Sequence, residues 1–175
     1  MATVTETLLL RPVASKGTVA SSVPADTSIE DIYKLVNEEV ADDGATSFVP
    51  SSSAVYFKFN LPNELKIKNL TGIKYVERRN TGSGCECRYI NYSSLERTSE
   101  YYLHCNTSQL AGWHTLEMDE NQAVLTKGGE KTSLALEPLK ELLNNGNLGI
   151  EYSTAATKEV PNISQVYLEI EYNLK

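Results

Sequence analysis

The residues in this chain best suited to metal binding and nucleophilic chemistry are its cysteines and histidines. Cys85 and Cys87 are separated by one residue, and His104 directly precedes Cys105. Two thiolates and an imidazole on neighbouring strands can bind zinc. The spacing is not that of a zinc finger, and small buried cysteines are ordinary core residues. In one strand, His104 and Cys105 would also point to opposite faces. We therefore expect free core thiols and no metal site.

Acidic residues crowd the segment from 38 to 43, which contains Glu38, Glu39, Asp42 and Asp43. Carboxylate oxygens at a turn are the ligands that calcium prefers, but this stretch does not have the pattern of an EF-hand loop. The segment therefore indicates a solvated acidic helix end, and the sequence predicts no cofactor.

Aromatic residues near the middle of the chain form the one candidate contact surface. Trp113 stands beside His114 and close in sequence to Tyr101 and Tyr102, and such rings can stack on sugars. A lone Trp in a β-sandwich belongs more often to the core. We take Trp113, Tyr101 and Tyr102 as the candidate ligand or partner contacts.

Familiar catalytic motifs do not occur in the sequence. It contains no Gly-x-Ser-x-Gly elbow, no P-loop and no dinucleotide-binding glycine fingerprint. No motif makes His104 or His114 the base of an activated serine or cysteine. We expect no catalytic residues and no enzymatic activity; a metal-dependent enzyme built on the three cysteines and a histidine remains the alternative of that class.

The charge balance limits the possible partners. The formal net charge is −7, and the basic clusters, Lys66 with Lys68 and Arg78 with Arg79, are small. Both features oppose general binding to nucleic acid. The first residues lack the pattern of a secretory signal, and no apolar stretch reaches the roughly 20 residues of a membrane-spanning helix. An odd number of cysteines fits a reducing compartment. We expect a soluble protein assembled in the cytoplasm.

Hydrophobic periodicity predicts a mainly β chain with one or two short helices. Apolar and polar residues alternate in most of the predicted strands, the period slips around Gly72 as at a β-bulge, and the 69–92 region is predicted to be a hairpin. The predicted strands are 4–10, 46–49, 53–60, 65–76, 85–90, 100–105, 113–118, 122–126, 148–154 and 165–172. Helical spacing predicts helices within 28–40 and 138–143. We expect one antiparallel β-sandwich or jelly-roll domain over residues 1–175.

Both ends of the chain resemble a known group of proteins. The stretches are Leu-Arg-Pro at 10–12, Leu-Val-Asn-Glu-Glu-Val-Ala-Asp-Asp-Gly-Ala-Thr-Ser-Phe at 35–48, Leu-Lys-Glu-Leu at 139–142, Gly-Asn-Leu-Gly-Ile at 146–150 and Ser-Gln-Val-Tyr-Leu-Glu-Ile-Glu-Tyr at 164–172. They resemble accessory virion structural proteins of tailed bacteriophages. The resemblance implies a jelly-roll sandwich, related in shape to galactose-binding-like modules, and no catalytic residues.

The function expected from this resemblance is structural. The chain would be a non-enzymatic decoration protein of the capsid or of the collar between head and tail, assembled in the host cytoplasm. It would act as a homo-oligomer through contacts with other capsid, neck or tail subunits. The alternative is a carbohydrate-binding tail module that contacts the host surface.

Overall fold

The computed structural model describes residues 4–17, 26–44, 48, 54–80, 85–105, 111–125, 129–154 and 161–174. In chain order the strands are β1 (Glu6–Leu10), β2 (Pro12–Gly17), β3 (Val55–Phe59), β4 (Asn69–Arg79), β5 (Cys85–Asn91), β6 (Tyr101–Cys105), β7 (His114–Asp119), β8 (Ala123–Leu125), β9 (Lys131–Thr132), β10 (Leu148–Thr154) and β11 (Ile163–Asn173). The helix α1 spans Leu136–Asn144, and 3-10 helices span Ile29–Leu35 and Glu120–Gln122. None of these helices is long and apolar enough to cross a membrane.

The strands form two antiparallel sheets. The four-stranded sheet has the order β1-β11-β4-β7, and the seven-stranded sheet has the order β2-β3-β10-β5-β6-β8-β9. Without β2, β8 and β9, the second order becomes β3-β10-β5-β6. Numbering the remaining eight strands along the chain gives 1-8-3-6 and 2-7-4-5, which is the strand order of a jelly roll. The predicted antiparallel β-sandwich is confirmed.

The core lies between the two sheets and follows the predicted alternation. In β3, Val55, Phe57 and Phe59 are buried, and in β11, Leu168 and Ile170 have no exposed surface. In antiparallel strands every second side chain faces the core, so these residues form one continuous apolar layer.

The period slip in β4 has the predicted cause. Glu171 of β11 pairs with Gly72, whereas the next residue, Tyr172, pairs with Leu70. Thr71 is therefore the extra residue of a β-bulge, and it restores the alternation that places Ile73 in the core.

Helical segments close parts of the sandwich. Leu139 and Leu143 of α1 are buried, as their spacing predicts. The region 28–40 is less helical than expected, because only Ile29–Leu35 is helical, as a 3-10 helix. Buried Ser15 of β2 fixes this segment: its Oγ donates to Ile29 O (2.6 Å) and accepts from Tyr33 N (3.1 Å). The short helix predicted within 28–40 is therefore present as a 3-10 helix, and it ends at Leu35.

The predicted hairpin over 69–92 was wrong. β4 pairs with β11 and β7, whereas β5 pairs with β10 and β6 in the other sheet. The connection between β4 and β5 thus crosses from one sheet to the other. Residues 81–84 of that connection lie outside the described residues, as do 46, 47 and 49 of the strand predicted at 46–49. Phe48 forms an isolated bridge with Ile163.

Candidate functional site

Four side chains from neighbouring strands form a row across the outer face of the seven-stranded sheet. Glu151 is opposite Tyr56 on one side and opposite Arg88 on the other. On the next strand, Leu103 is opposite Cys87, so continuing this register places Tyr102 opposite Arg88. We call Tyr56, Glu151, Arg88 and Tyr102 the polar row.

Ion pairs hold the charges of the polar row in place. Arg97, from the loop after β5, donates to both carboxylate oxygens of Glu151, through Nη2 at 2.7 Å and Nε at 3.3 Å. Arg88 Nη1 lies 2.7 Å from Glu86 Oε2 and 3.9 Å from Glu151 Oε1. Two arginines therefore neutralise two glutamates within one network, and the geometry of the charged groups is fixed.

The centre of this network is withdrawn from solvent although it lies on an outer face. The Arg88 side chain is 5% exposed and that of Glu151 is 8% exposed, whereas Arg97 is 53% exposed. The chain after β5 runs back beside β5 in the plane of the sheet, where the Arg97 backbone forms a bridge with Ile90 and the Thr98 amide donates to Tyr89 O. Buried charges are tolerated here because each has a partner.

Tyr102 lies at the β6 end of the polar row. The Arg88 guanidinium carbon is 4.9 Å from the centre of its ring, and the His104 ring packs edge-on at 5.9 Å between centroids. A cation held over an aromatic face limits the motion of that ring. The Tyr102 ring is therefore partly exposed and held in place by its neighbours. At the other end of the row, burial, followed by the nearby charge of Glu151, raises the pKa of Tyr56.

The other two candidate contact residues lie in different surroundings. Tyr101 is partly buried and packs against the core between the sheets. Trp113 directly precedes β7 in the other sheet and lies against Gly44, since a Cβ built on that glycine would be 3.9 Å from the indole nitrogen. Only Tyr102 of the three belongs to the polar row, so the described contacts do not assemble these rings into one stacking platform.

A cleft of about 510 Å³ opens between the loop after β3 and the C-terminal end of α1. Asn144 joins its two walls: its Oδ1 accepts from Ile67 N and its Nδ2 donates to Ile67 O, both at 2.9 Å. Lys66 also donates to Asn144 O. The polar groups around the cleft are amides and ammonium or carboxylate groups, from Lys58, Asn60, Asn63, Glu64, Lys66, Asn144 and Asn145.

An amide-rich cleft is suited to hydroxyl-rich ligands. Each Asn side chain offers two donor hydrogens and an acceptor oxygen, so it can match a hydroxyl in either role. The sequence does not predict this cleft, because Asn144, Asn145 and Gly146 indicate a helix end and nothing local connects them with residues 58–66.

The cysteines lie where the strand pattern places them. Cys85 and Cys87 form no disulfide, have no exposed surface and lie on the core side of β5. His104 is exposed on the outer face of β6. The sheet therefore separates this imidazole from both thiols. Among the described residues, no group of three or more His, Cys, Asp or Glu side chains is arranged to hold a metal ion.

A charged pair lies in the interior between the sheets. Glu77 and Arg79 of β4 have no exposed surface, and their side chains meet at 3.1 Å. The Tyr75 hydroxyl donates to the second Glu77 oxygen at 2.9 Å. Burial raises the pKa of Glu77, and the charge of Arg79 is the main influence that opposes this rise. The pair lies too deep to contact a macromolecular partner.

The acidic segment fastens the connection before β3 to the four-stranded sheet. Gln165 Nε2 donates to Glu38 O at 2.8 Å and to Glu39 O at 3.1 Å. Arg78 donates to both carboxylate oxygens of Asp43, from Nη2 at 2.7 Å and from Nε at 3.2 Å. The Arg78 guanidinium holds the pKa of Asp43 below its ordinary value. The helix ends at Leu35, so this segment is an anchor beyond the helix rather than its solvated end.

Comparison with known protein families and with curated proteins identifies no relative of this chain. No protein-family model matches the chain, and no curated protein matches it significantly.

Proposed function

We propose that the protein is a non-enzymatic structural component of a tailed-bacteriophage virion, an accessory or decoration subunit of the capsid or of the head-tail collar. The observation that carries this proposal is the jelly-roll strand order, because jelly rolls build many viral capsid proteins. The same architecture serves lectins, so the fold alone does not fix a function. The resemblance of both chain ends to phage virion proteins favours the structural role.

The outer face of the seven-stranded sheet is suited to contact with another virion subunit. Arg88 and Glu151 are already paired and nearly buried, so covering them further removes little additional hydration. Tyr56, Tyr102 and Arg97 surround them with residue types that are enriched in protein interfaces. A partner could cover this face without leaving a buried charge unpaired.

Immunogold electron microscopy of purified virions from the source of this chain tests the proposal. Antibody against the chain should label the head surface or the neck, and the chain should be detected by mass spectrometry in particles purified through a density gradient. Absence of the chain from such particles would contradict a virion role. Labelling at the tail tip would favour host recognition instead.

The second candidate is carbohydrate binding at the host surface, and the amide-rich cleft favours it. Screening of the isolated protein against a glycan array tests this function. Binding that is lost in Asn145→Ala and Lys58→Ala but retained in Trp113→Ala would place the glycan in the cleft. Trp113→Ala is the matched control, because Trp113 does not line the cleft. No binding of any glycan by the folded protein would eliminate this candidate.

A further inference from the structure

The two sheets end in four strands, β1 and β7 in one sheet and β2 and β9 in the other. A terminal strand presents backbone amides and carbonyls along its outer side and can pair with another chain. Proteins prevent this with charged side chains, proline, bulges or very short strands. The four edges can therefore be compared for such protection.

Three of the edges are protected. β2 contains Pro12, a bulge between Pro12 and Ala14, and Lys16. β9 is only two residues long and begins with Lys131. β7 carries Glu117, which is exposed, and ends at Asp119.

The β1 edge lacks these features. From Val4 to Leu10 the sequence is Val-Thr-Glu-Thr-Leu-Leu-Leu, with one charge and no proline or lysine. That one charged side chain, Glu6, is exposed at the first residue of β1 and accepts a hydrogen bond from the Tyr172 hydroxyl of β11 at 3.1 Å. In the described part of this edge, Glu6 is therefore the one charged side chain that opposes the approach of another strand.

Exposed apolar side chains concentrate at the same edge. Five large apolar side chains are exposed among the described residues, and three of them lie at this edge. Leu9 (43%) is in β1, Val4 (72%) lies just before β1, and Leu174 (43%) directly follows the neighbouring strand β11. Glu6 is opposite Tyr172, so continuing this register by two residues places Val4 beside Leu174. Pairing at this edge would remove apolar surface from water in addition to forming backbone hydrogen bonds.

We propose that β1 pairs with β1 of a second copy of this chain, antiparallel about a two-fold axis, and joins the two four-stranded sheets. A strand paired with itself in this way gives a self-complementary interface that closes at two copies. This dimer does not depend on the virion role, and it would form in a protein of either proposed function.

Charge favours a second copy at this edge over any other edge. Two chains of net charge −7 repel each other, so they associate best where fewest charges meet. A two-fold axis at Thr7 places Glu6 opposite Leu8 of the other copy, and an axis at Leu8 places Glu6 opposite Leu10. In neither register do the two glutamates stand directly opposite each other, an arrangement that would be destabilising.

Sedimentation velocity and light scattering over a range of concentrations test the dimer. The monomer mass is 19.4 kDa, so the wild-type protein should approach twice that value. Thr7→Lys/Leu9→Lys places four like charges at the paired edge and should weaken the dimer by at least about tenfold. Thr115→Lys/Glu117→Gln is the matched control, because it makes the same change in net charge at exposed positions of β7, the opposite edge of the same sheet, and it should leave the dimer intact.

Hydrogen exchange of the wild-type protein locates the interface without any substitution. Exchange of the backbone amides between Val4 and Leu10 should slow as the protein concentration rises through the dimerisation range. A wild-type protein that remains monomeric at about 100 µM, a concentration at which even a Kd of about 100 µM would give a large dimer fraction, would overturn the proposal. So would a dimer in which these amides exchange at the same rate as in the monomer.

Discussion

Replacing Arg79 with methionine should destabilise the fold by an amount that depends strongly on pH. Arg79 and Glu77 form an ion pair at 3.1 Å with no exposed surface. Met fills part of the space of the arginine stem but brings no charge. The Glu77 carboxyl then remains buried beside the Tyr75 hydroxyl, and it can avoid an unpaired charge only by binding a proton.

The size of the effect follows from the cost of that proton. The ordinary pKa of the carboxyl is 4.5, so keeping it protonated at pH 7 costs about 3.4 kcal/mol, from 2.5 pH units at about 1.36 kcal/mol each. At pH 5 the same arithmetic gives about 0.7 kcal/mol. Burial already raises the pKa of Glu77 in the wild-type protein, so these values are upper bounds for the difference between the two proteins.

The sign of the pH dependence is fixed by proton binding. Above pH 4.5 the folded variant holds a proton that the unfolded chain releases, so raising the pH favours unfolding. The stability that the raised pKa of Glu77 contributes to the variant is thus fully present below pH 4.5 and is lost as the pH rises. Any packing change from Arg to Met is independent of pH, and it cancels when the penalties at pH 5 and pH 7 are compared.

Urea unfolding followed by the fluorescence of Trp113, the one tryptophan, measures both penalties. The double variant Arg79→Met/Glu77→Gln is the control, because it has no carboxyl to titrate, and its penalty should not grow between pH 5 and pH 7. An equal penalty for Arg79→Met at the two pH values would refute the argument. It would mean that the Glu77 carboxyl has the same protonation state in the wild-type protein and in the variant.

Three further predictions concern single positions. Tyr89 is 3% exposed and its hydroxyl has no hydrogen-bond partner among the described residues, so Tyr89→Phe should raise the unfolding free energy by up to about 1 kcal/mol in urea titrations. Gly17 has φ +129° and a Cβ there would lie 2.4 Å from Ala54 O, so Gly17→Ala should lower the melting temperature and cost at least about 1 kcal/mol. Arg78 lowers the pKa of Asp43, so Asp43→Asn should cost less than about 1 kcal/mol at pH 7, and the cost should disappear as the pH falls through the lowered pKa.

Alternation along single strands is the part of the fold that the sequence predicts well. β3 and β11 each bury one face, and the slip around Gly72 corresponds to a real bulge at Thr71. These signals are local, because a side chain is directed to one face by its own position in the pleat. They carry no information about which sheet a strand joins, which is why β4 and β5 were wrongly paired as a hairpin.

Tertiary contacts override the local pattern in two places. The 3-10 helix ends at Leu35 because the chain then turns to join β11, where Val36 O accepts from the Val166 amide. The outer face of β5 should be polar, yet Ile90 has no exposed surface, because it packs beside Gly149, where the Tyr92 ring also lies. Val166 and Gly149 lie far along the chain from the residues that they contact, so periodicity could not reveal these contacts.

The site residues show the same limit. Tyr102 was singled out as a candidate contact residue, but the setting of its ring depends on Arg88, fourteen positions earlier, which the pairing of β5 with β6 brings next to it. The cleft depends on Asn144 and Ile67, which are 77 positions apart. Long-range pairing therefore creates both sites from residues that have no distinctive motif.

The proposed interface and the outer face lie on different layers of the sandwich, and this decides how they can act together. β1 belongs to the four-stranded sheet, whereas the polar row crosses the seven-stranded sheet, so pairing through β1 does not use the residues of the row. A dimer would therefore present two copies of the row in a fixed arrangement, and two weak contacts on one repetitive particle surface reinforce each other. Thr7→Lys/Leu9→Lys should then weaken binding to purified particles even though neither residue touches the row. If particle binding is unchanged in that variant while the dimer is lost, each copy must bind independently.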